Sequence, residues 1–348
     1  MRPLISILLV TYQSEDDILN CLNSIKKFTH TSYEVLVLDT GSTDNSIQQI
    51  KSHDLYTSNI LSLYIAKKNL GYAGGQQALS IKAKGKYLFF LNPDAEFTKD
   101  TVKPLVKILD SNDSAFCVQP AVYLKDQPDK LNLTGKLTHY LGFDYLRDYL
   151  KSTPPAFGEI TSFSGSGVLC KADVFKYLGG FDTKFFMYYE DSDLSWRARL
   201  AGYRLFFVPS STLIHDYKFK PKTHQQSFKN KLFYNERNRL MMVLKNYSLK
   251  SLILLSPMFI FTELLLLGYS ILSGWFDRKC QALFSIWRMR ARIIDSRSRV
   301  QTTRVVSDHQ LVQSFVSSIQ FVHFDHPVVK FVLNPVLRVY WLIIKNLI

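Results

Sequence analysis

No glycine-rich phosphate signature follows the first strand-like run. The loop reads Val10-Thr11-Tyr12-Gln13-Ser14 where G-x-G-x-x-G or G-x-x-x-x-G-K-[ST] would have to stand. Dinucleotide redox chemistry and P-loop hydrolysis are disfavoured on that ground. Cysteine is scarce as well: Cys21, Cys117, Cys170 and Cys280 lie far apart, with no C-x-x-C pair and no histidine cluster. A zinc ribbon or a secreted disulfide scaffold needs closer spacing, so a reducing compartment is expected. Charged residues make up 21% against 47% hydrophobic, too apolar for long disorder, collagen or low-complexity arrays. Met1-Arg2-Pro3 runs straight into a strand-like segment, without the charged lead and apolar region of a signal peptide. A cytoplasmic front half is the expectation.

Acid is the scarcer sign, 29 Asp+Glu against 43 Lys+Arg, and the imbalance is uneven. Residues 1–244 hold 30 of the basic and 24 of the acidic side chains, while 245–348 hold 13 and 5. Basic charge therefore gathers beside the most apolar stretch, residues 251–276, whose one charge is Glu263. That pairing points to an anionic membrane surface. Nucleic acid is disfavoured, because the basic residues flank an apolar tail and do not alternate with aromatics across a sheet.

The 348 residues predict about two domains: 1–245, globular, and 246–348, helical and membrane-associating. From Leu4 to about Leu109, apolar runs at Ile5–Val10, Glu34–Leu38, Ile60–Ile65 and Tyr87–Leu91 alternate with helix-like Glu15–Phe28, Asp44–Lys51 and Gly75–Ala83. This predicts an α/β domain with a mostly parallel, doubly wound sheet. Residues 123–160 read as an irregular insertion. Patterning returns with strands at Phe163–Leu169 and Arg204–Val208 and helices at Asp191–Ala201 and about Gln225–Lys245. Ligands of such sheets bind beyond the carboxyl ends of the strands, so the loops after Val10, Leu38 and Leu91 carry the interest.

Asp39 ends an apolar strand, where a carboxylate can accept from a base N–H or a ribose hydroxyl. Ser42 and Asp44 beyond it read as helix caps. Asn69-Leu70-Gly71-Tyr72-Ala73-Gly74-Gly75 would let backbone N–H groups approach an anion, or would simply make a tight turn. Asp94, in Asn92-Pro93-Asp94, could bind a hard divalent cation or belong to a turn. Glu190, Asp191 and Asp193 open a helix after the aromatic run Phe185–Tyr189. They could cap the helix dipole, or take a hydroxyl proton beside a sugar ring. His215 follows the strand-like Thr212–Ile214 and is a candidate metal ligand or a structural histidine.

These pieces in this order resemble the family 2 glycosyltransferases of GT-A fold, especially the bacterial rhamnosyltransferase-like branch. The matching segments are Ser6–Ser14, Val37–Ser46, Asn69–Gly75, Tyr87–Ala95, Gly165–Leu169, Gly179–Tyr203 and Arg237–Leu240. The resemblance implies that the backbone of Val10, Thr11 and Tyr12, with Asp39, holds the nucleoside. It extends the donor site to Asn69, Gly71, Gly74, Asn92, Asp94 and Gly165. Asp94 matches the last aspartate of the family's D-x-D element and would bind Mg²⁺ or Mn²⁺, with His215 completing the metal site; Asn92 replaces the first aspartate. Asp191 matches the second acid of an E-D pair and would be the general base, with Glu190 as runner-up.

The implied activity is inverting transfer from a nucleotide sugar, dTDP-rhamnose being the best guess, to a polyprenyl-(pyro)phosphate-linked glycan acceptor in cell-surface polysaccharide synthesis. The alternative is a catalytically inactive GT-A-like scaffold that binds nucleotide or sugar at the membrane. Residues 251–276 are expected to form a peripheral or monotopic anchor, in-plane or re-entrant, on the cytoplasmic face, the alternative being a helix buried on the catalytic domain; Ser256, Glu263 and Ser270 draw a polar stripe along it. The basic run Arg278–Arg304 is expected to meet anionic headgroups, and a cut after about Tyr247 to release a soluble domain.

Overall fold

In the computed structural model, residues 3–217, 226–320 and 327–348 are described. The chain divides into two compact units. The first comprises Met1–Lys136, Leu146–Leu194 and Tyr203–Lys218, and the second Leu137–Tyr145, Ser195–Gly202 and Phe219–Ile348.

The strands are β1 (Ile5–Thr11), β2 (Tyr33–Asp39), β3 (Leu61–Ile65), β4 (Tyr87–Leu91), β5 (Ala95–Phe97), β6 (Ala115–Leu124), β7 (Leu131–Leu133), β8 (Lys136–Thr138), β9 (Asp144–Leu146), β10 (Gly158–Glu159), β11 (Gly167–Lys171) and β12 (Arg204–His215). Ten of them form one sheet: eight along the path β10-β12-β6-β11-β4-β1-β2-β3, with β5 on β12 and β7 on β6 off that path. The helices of this half are α1 (Ile18–Phe28), α2 (Ser46–Ser52), α3 (Asp54–Thr57), α4 (Gly71–Ser80), α5 (Val102–Ser111), α6 (Ala172–Tyr177) and α7 (Glu190–Leu200). The neighbours β3, β2, β1 and β4 are all parallel, as their unbroken apolar runs require for strands covered on both faces. Every residue of β4 is buried.

Beyond β4 the sheet turns mixed, because β11 pairs antiparallel with both β4 and β6. The sequence pattern hides β6. Its Pro120 cannot donate to a ladder, and proline inside a run argues against a central strand. The neighbouring β12 accommodates it with an irregularity: Val208 pairs with Pro120, and the register resumes at Thr212 opposite Ala121. Pro209 sits in that gap, so β12 continues through it to His215 where the sequence predicted a stop. The strand expected at Phe163–Leu169 starts only at Gly167, and 163–166 is loop. The stretch 123–160, expected to be irregular, supplies β7, β8, β9 and β10.

The second unit contains α8 (Gln226–Asn246), α9 (Leu249–Leu272), α10 (Phe276–Arg288), α11 (Arg290–Thr303), α12 (Asp308–Val312) and, after a π-helical turn at Val329–Leu333, α13 (Asn334–Ile344). The division at residue 245 read from composition differs from this one. Helix α8 belongs with the second unit, where it packs on α10 and α11. Its Met241, Met242 and Val243 are buried there, as is Tyr247 just beyond it, so a cut after Tyr247 would strip α8 of its neighbours.

Charge holds this unit together. The cations Arg239 and Lys279, 1% and 0% exposed at the side chain, both pair with Glu236 and Glu263, Lys279 Nζ lying 2.6 Å from Glu263 Oε2. Burial alone would raise the Glu263 carboxyl, but Arg239 and Lys279 hold it below its ordinary value. Part of the basic run expected at headgroups is likewise consumed inside the unit. Arg297 and Arg304 donate to carbonyls of Leu244, Asn246 and Tyr247 at the end of α8, where Gln301 donates as well. Arg288, Arg290, Arg292 and Arg299 stay exposed.

Helix α9 is long and apolar enough to cross a membrane by length and composition. Its buried side carries Ser251, Leu255, Met258, Thr262 and Ser270, and large apolar side chains including Ile253, Ile260, Leu264, Leu265 and Leu272 are exposed. The expected polar stripe is not a single outer face. Ser256 and Glu263 are partly exposed while Ser270 is buried, as the drift of a seven-residue repeat on a 3.6-residue helix produces.

Candidate active site

The loops after β1 and β2 are stitched together at the carboxyl end of the sheet. Gln13, at φ 52°, donates its N–H to Ser42 Oγ at 2.9 Å, and Ser14 N–H reaches Ser46 Oγ at 2.9 Å. Ser42, read as a cap, thus ties the two loops, while Asp44 accepts from Ser46 at the start of α2. Asp39 is fully buried. Its Oδ1 accepts the N–H groups of Gly41 and Ser42 at 3.0 Å each, and its Oδ2 the Thr11 hydroxyl at 3.1 Å. As placed, Asp39 shapes its own loop, and Tyr12, 54% exposed, is the side chain offered outward.

The glycine segment opens α4. Gly71 stands at φ +66°, where its N–H meets Asn69 Oδ1 at 2.8 Å; a Cβ there would lie 2.3 Å from the Phe186 carbonyl oxygen. Gly75 lets α4 lie against β1, since a Cβ would come 2.6 Å from Val10 Cγ2. Gly74, expected among donor-binding residues, lies inside the helix with a Cβ site 3.1 Å from Leu70 Cβ. Between these two glycines, Tyr72 donates its hydroxyl to the Gly165 carbonyl at 2.7 Å.

Loop 163–166 joins the two chemically interesting ends. The Ser166 carbonyl accepts Asn92 N–H at 3.1 Å, and Gly165 N–H donates to Asp191 Oδ2 at 3.1 Å. Beyond Asn92, Asp94 Oδ1 lies 3.2 Å from His215 Nε2, and both atoms are buried without a hydrogen bond among the described residues. The other ring nitrogen, His215 Nδ1, is 2.9 Å from Oδ1 of the fully buried Asn132. An amide oxygen can only accept, so Nδ1 carries the hydrogen and Nε2 turns a lone pair toward Asp94. Two converging lone-pair groups with no partner between them fit a divalent cation. Among the described residues no third His, Cys, Asp or Glu joins them, which leaves other coordination positions to ligand oxygens.

Glu190 and Asp191 open α7 at the other end. The backbone before them is strained: Phe186, Tyr188 and Tyr189 stand at φ 65°, 67° and 68°. Asp191 is gripped by Lys136, whose Nζ lies 2.6 and 2.7 Å from its two oxygens and 3.2 Å from Ser192 Oγ. Glu190 differs. Its Oε2 is buried without a hydrogen-bond partner, and burial, then the Asp191 charge, push its carboxyl up to about 8 against the pull of Lys136. Two adjacent acids thus occupy opposite electrostatic environments. Asn132 and Lys136 escaped sequence reading because both fall in the stretch 123–160 that lacks a periodic pattern.

A strand set of this order with ligand loops at its carboxyl ends is the GT-A fold. GalNAc-T7, solved with UDP, GalNAc and Mn²⁺, superposes at TM-score 0.59 with 15% identity, over 72% of this chain and 49% of that one. Residues 6–178 match the family model described as glycosyl transferase family 2, and the chain belongs to that family. A putative teichuronic acid biosynthesis glycosyltransferase of Bacillus subtilis is 24% identical over 33% of this chain; the chain spans 45% of that relative's length. The N-acetylglucosaminyl-diphospho-decaprenol L-rhamnosyltransferase of Mycobacterium tuberculosis is 25% identical over 62% of this chain and 76% of its own.

Proposed function

We propose that this chain is an inverting glycosyltransferase that carries a sugar from a nucleotide donor to a lipid-linked glycan. The observation that carries the reading is that loop 163–166 is bonded both to Asn92, two residues before Asp94, and to Asp191, and so links the Asp94 Oδ1–His215 Nε2 pair with the unequal acids Glu190 and Asp191. Asp94 and His215 would hold Mg²⁺ or Mn²⁺, which supplies positive charge for the leaving diphosphate. Asp191, held by Lys136, takes the proton of the acceptor hydroxyl. The freed oxygen attacks the anomeric carbon, and the bond to the diphosphate breaks with its electron pair on the leaving group. A single displacement of this kind inverts the anomeric centre and needs no covalent intermediate.

The mycobacterial relative's name supports a decaprenyl-diphosphate-linked acceptor and a rhamnosyl donor, so dTDP-rhamnose is the first donor to test. For the acceptor end, we assign the second unit to the cytoplasmic face of a membrane. Exposed apolar side chains on α9 and α13 support this, among them Leu264, Leu272, Val339 and Leu342. So does the exposed pair Phe284 and Trp287, stacked at 5.6 Å, with Arg288 and Arg290 over their rings.

The test is transfer by full-length protein with a panel of nucleotide sugars, a polyprenyl-diphosphate-linked sugar and Mn²⁺. Asp191→Asn should keep nucleotide binding and lose roughly 10²–10⁴-fold in transfer. Near wild-type transfer by Asp191→Asn alongside an inactive Glu190→Gln would reverse the two acids' roles.

A further inference from the structure

Lys136 comes from β8, remote in sequence from α7, yet its ammonium spans both oxygens of Asp191 at 2.6 and 2.7 Å. Its side chain is 15% exposed and that of Asp191 7%, so water screens the pair little. Other titratable groups among the described residues lie near the two acids. Glu190 and Asp193 share α7, Tyr72 comes from α4, and Tyr188 from the strained loop. Lys136 brings a positive charge to both acids, through its contact with Asp191 and its pull on Glu190. Without it, two buried carboxyls would share one site, and like charges so placed cannot both ionise readily.

We propose that Lys136 is a positioning residue that fixes the protonation order of the acid pair, keeping Asp191 ionised while the shared proton rests on Glu190. The geometry is asymmetric in the required sense: Asp191 holds the lysine and the Gly165 N–H, whereas Glu190 Oε2 has no hydrogen-bond partner. Lys136 also touches Ser192 Oγ at 3.2 Å, a contact that seats the ammonium over the first turn of α7. This inference rests on the assignment of Asp191 as base.

The experiment is the pH profile of kcat/KM for transfer, measured on the full chain between pH 5 and 9 for wild type, Lys136→Met and Lys136→Arg. The acid limb reports ionisation of the base in the free enzyme. Lys136→Met should move that limb up by about one pH unit or more, so that activity falls steeply at pH 6 and recovers toward pH 8.5. Lys136→Arg, which keeps the charge, should restore the limb to near its wild-type position. Loss of activity by Lys136→Met in equal proportion at every pH, or a limb that does not move, overturns the proposal. Lys136→Gln, which keeps a polar group for Ser192, gives the same reading if the apolar variant does not fold, as judged by nucleotide binding. Asp191→Asn is assayed alongside. If it transfers sugar normally, the base assignment fails; if it is inactive while the Lys136→Met limb stays put, only the role of Lys136 fails.

Discussion

Asn132 offers a sharp test of the metal site, because it touches neither substrate nor cation in the proposed arrangement. Its Oδ1, 2.9 Å from His215 Nδ1, fixes which ring nitrogen is bare. In Asn132→Leu that acceptor is gone. The ring can then place its hydrogen on Nε2 and donate it across the 3.2 Å gap to Asp94 Oδ1, filling the position a cation needs. Loss of such a supporting contact typically costs 10–100-fold in metal affinity, equivalent to about 1.4–2.8 kcal/mol. The fold should tolerate the change. Asn132 Nδ2 is itself buried without a partner, and leucine removes that unsatisfied donor while filling a similar volume. The assay is Mn²⁺ titration followed by the spectrum of the free ion, with nucleoside diphosphate present and a thermal melt as control. Asn132→Asp, which keeps an acceptor toward Nδ1, should bind Mn²⁺ at least as well as wild type. Wild-type affinity in Asn132→Leu, or equal weakening in both variants, would refute the reasoning.

The raised Glu190 carboxyl makes stability depend on pH. Its folded value of about 8 lies above the ordinary 4.5, so its contribution is fully present below about pH 4.5 and is lost as pH rises through about 8. Between pH 5 and 8 the slope should approach 1.4 kcal/mol per unit at most, and Glu190→Gln should flatten the melting temperature over that range. Glu263→Ala removes one of the carboxylates that Arg239 and Lys279 share inside the helical unit. It should cost about 3–5 kcal/mol in urea unfolding followed by tryptophan fluorescence, all four tryptophans lying in that unit; a loss below about 1 kcal/mol would show that the ion pairs are replaceable.

The parallel half of the sheet was legible in the sequence. Buried parallel strands must be apolar on both faces, and the runs at Ile5, Glu34, Ile60 and Tyr87 declare it within a residue or two. Glu190, Asp191 and Asp94 announced themselves by local chemistry, as acids opening a helix or ending a strand. The other half was not legible, because its elements compensate one another at a distance. Pro120 suits β6 only because β12 is irregular beside it, which no window along the chain reports.

Glu263 shows the same limit from the opposite side. In sequence it is a lone charge in an apolar run, and its partners Arg239 and Lys279 stand 24 and 16 residues away on other helices. Residue type and local spacing suffice for the sheet's first four strands, the apolar helix and the acids. That Asn132 contacts His215 and Lys136 grips Asp191 emerges from the folded chain alone. Both residues lie 55 or more positions from their partners, and hydrogen bonds between side chains leave no periodic trace in the chain.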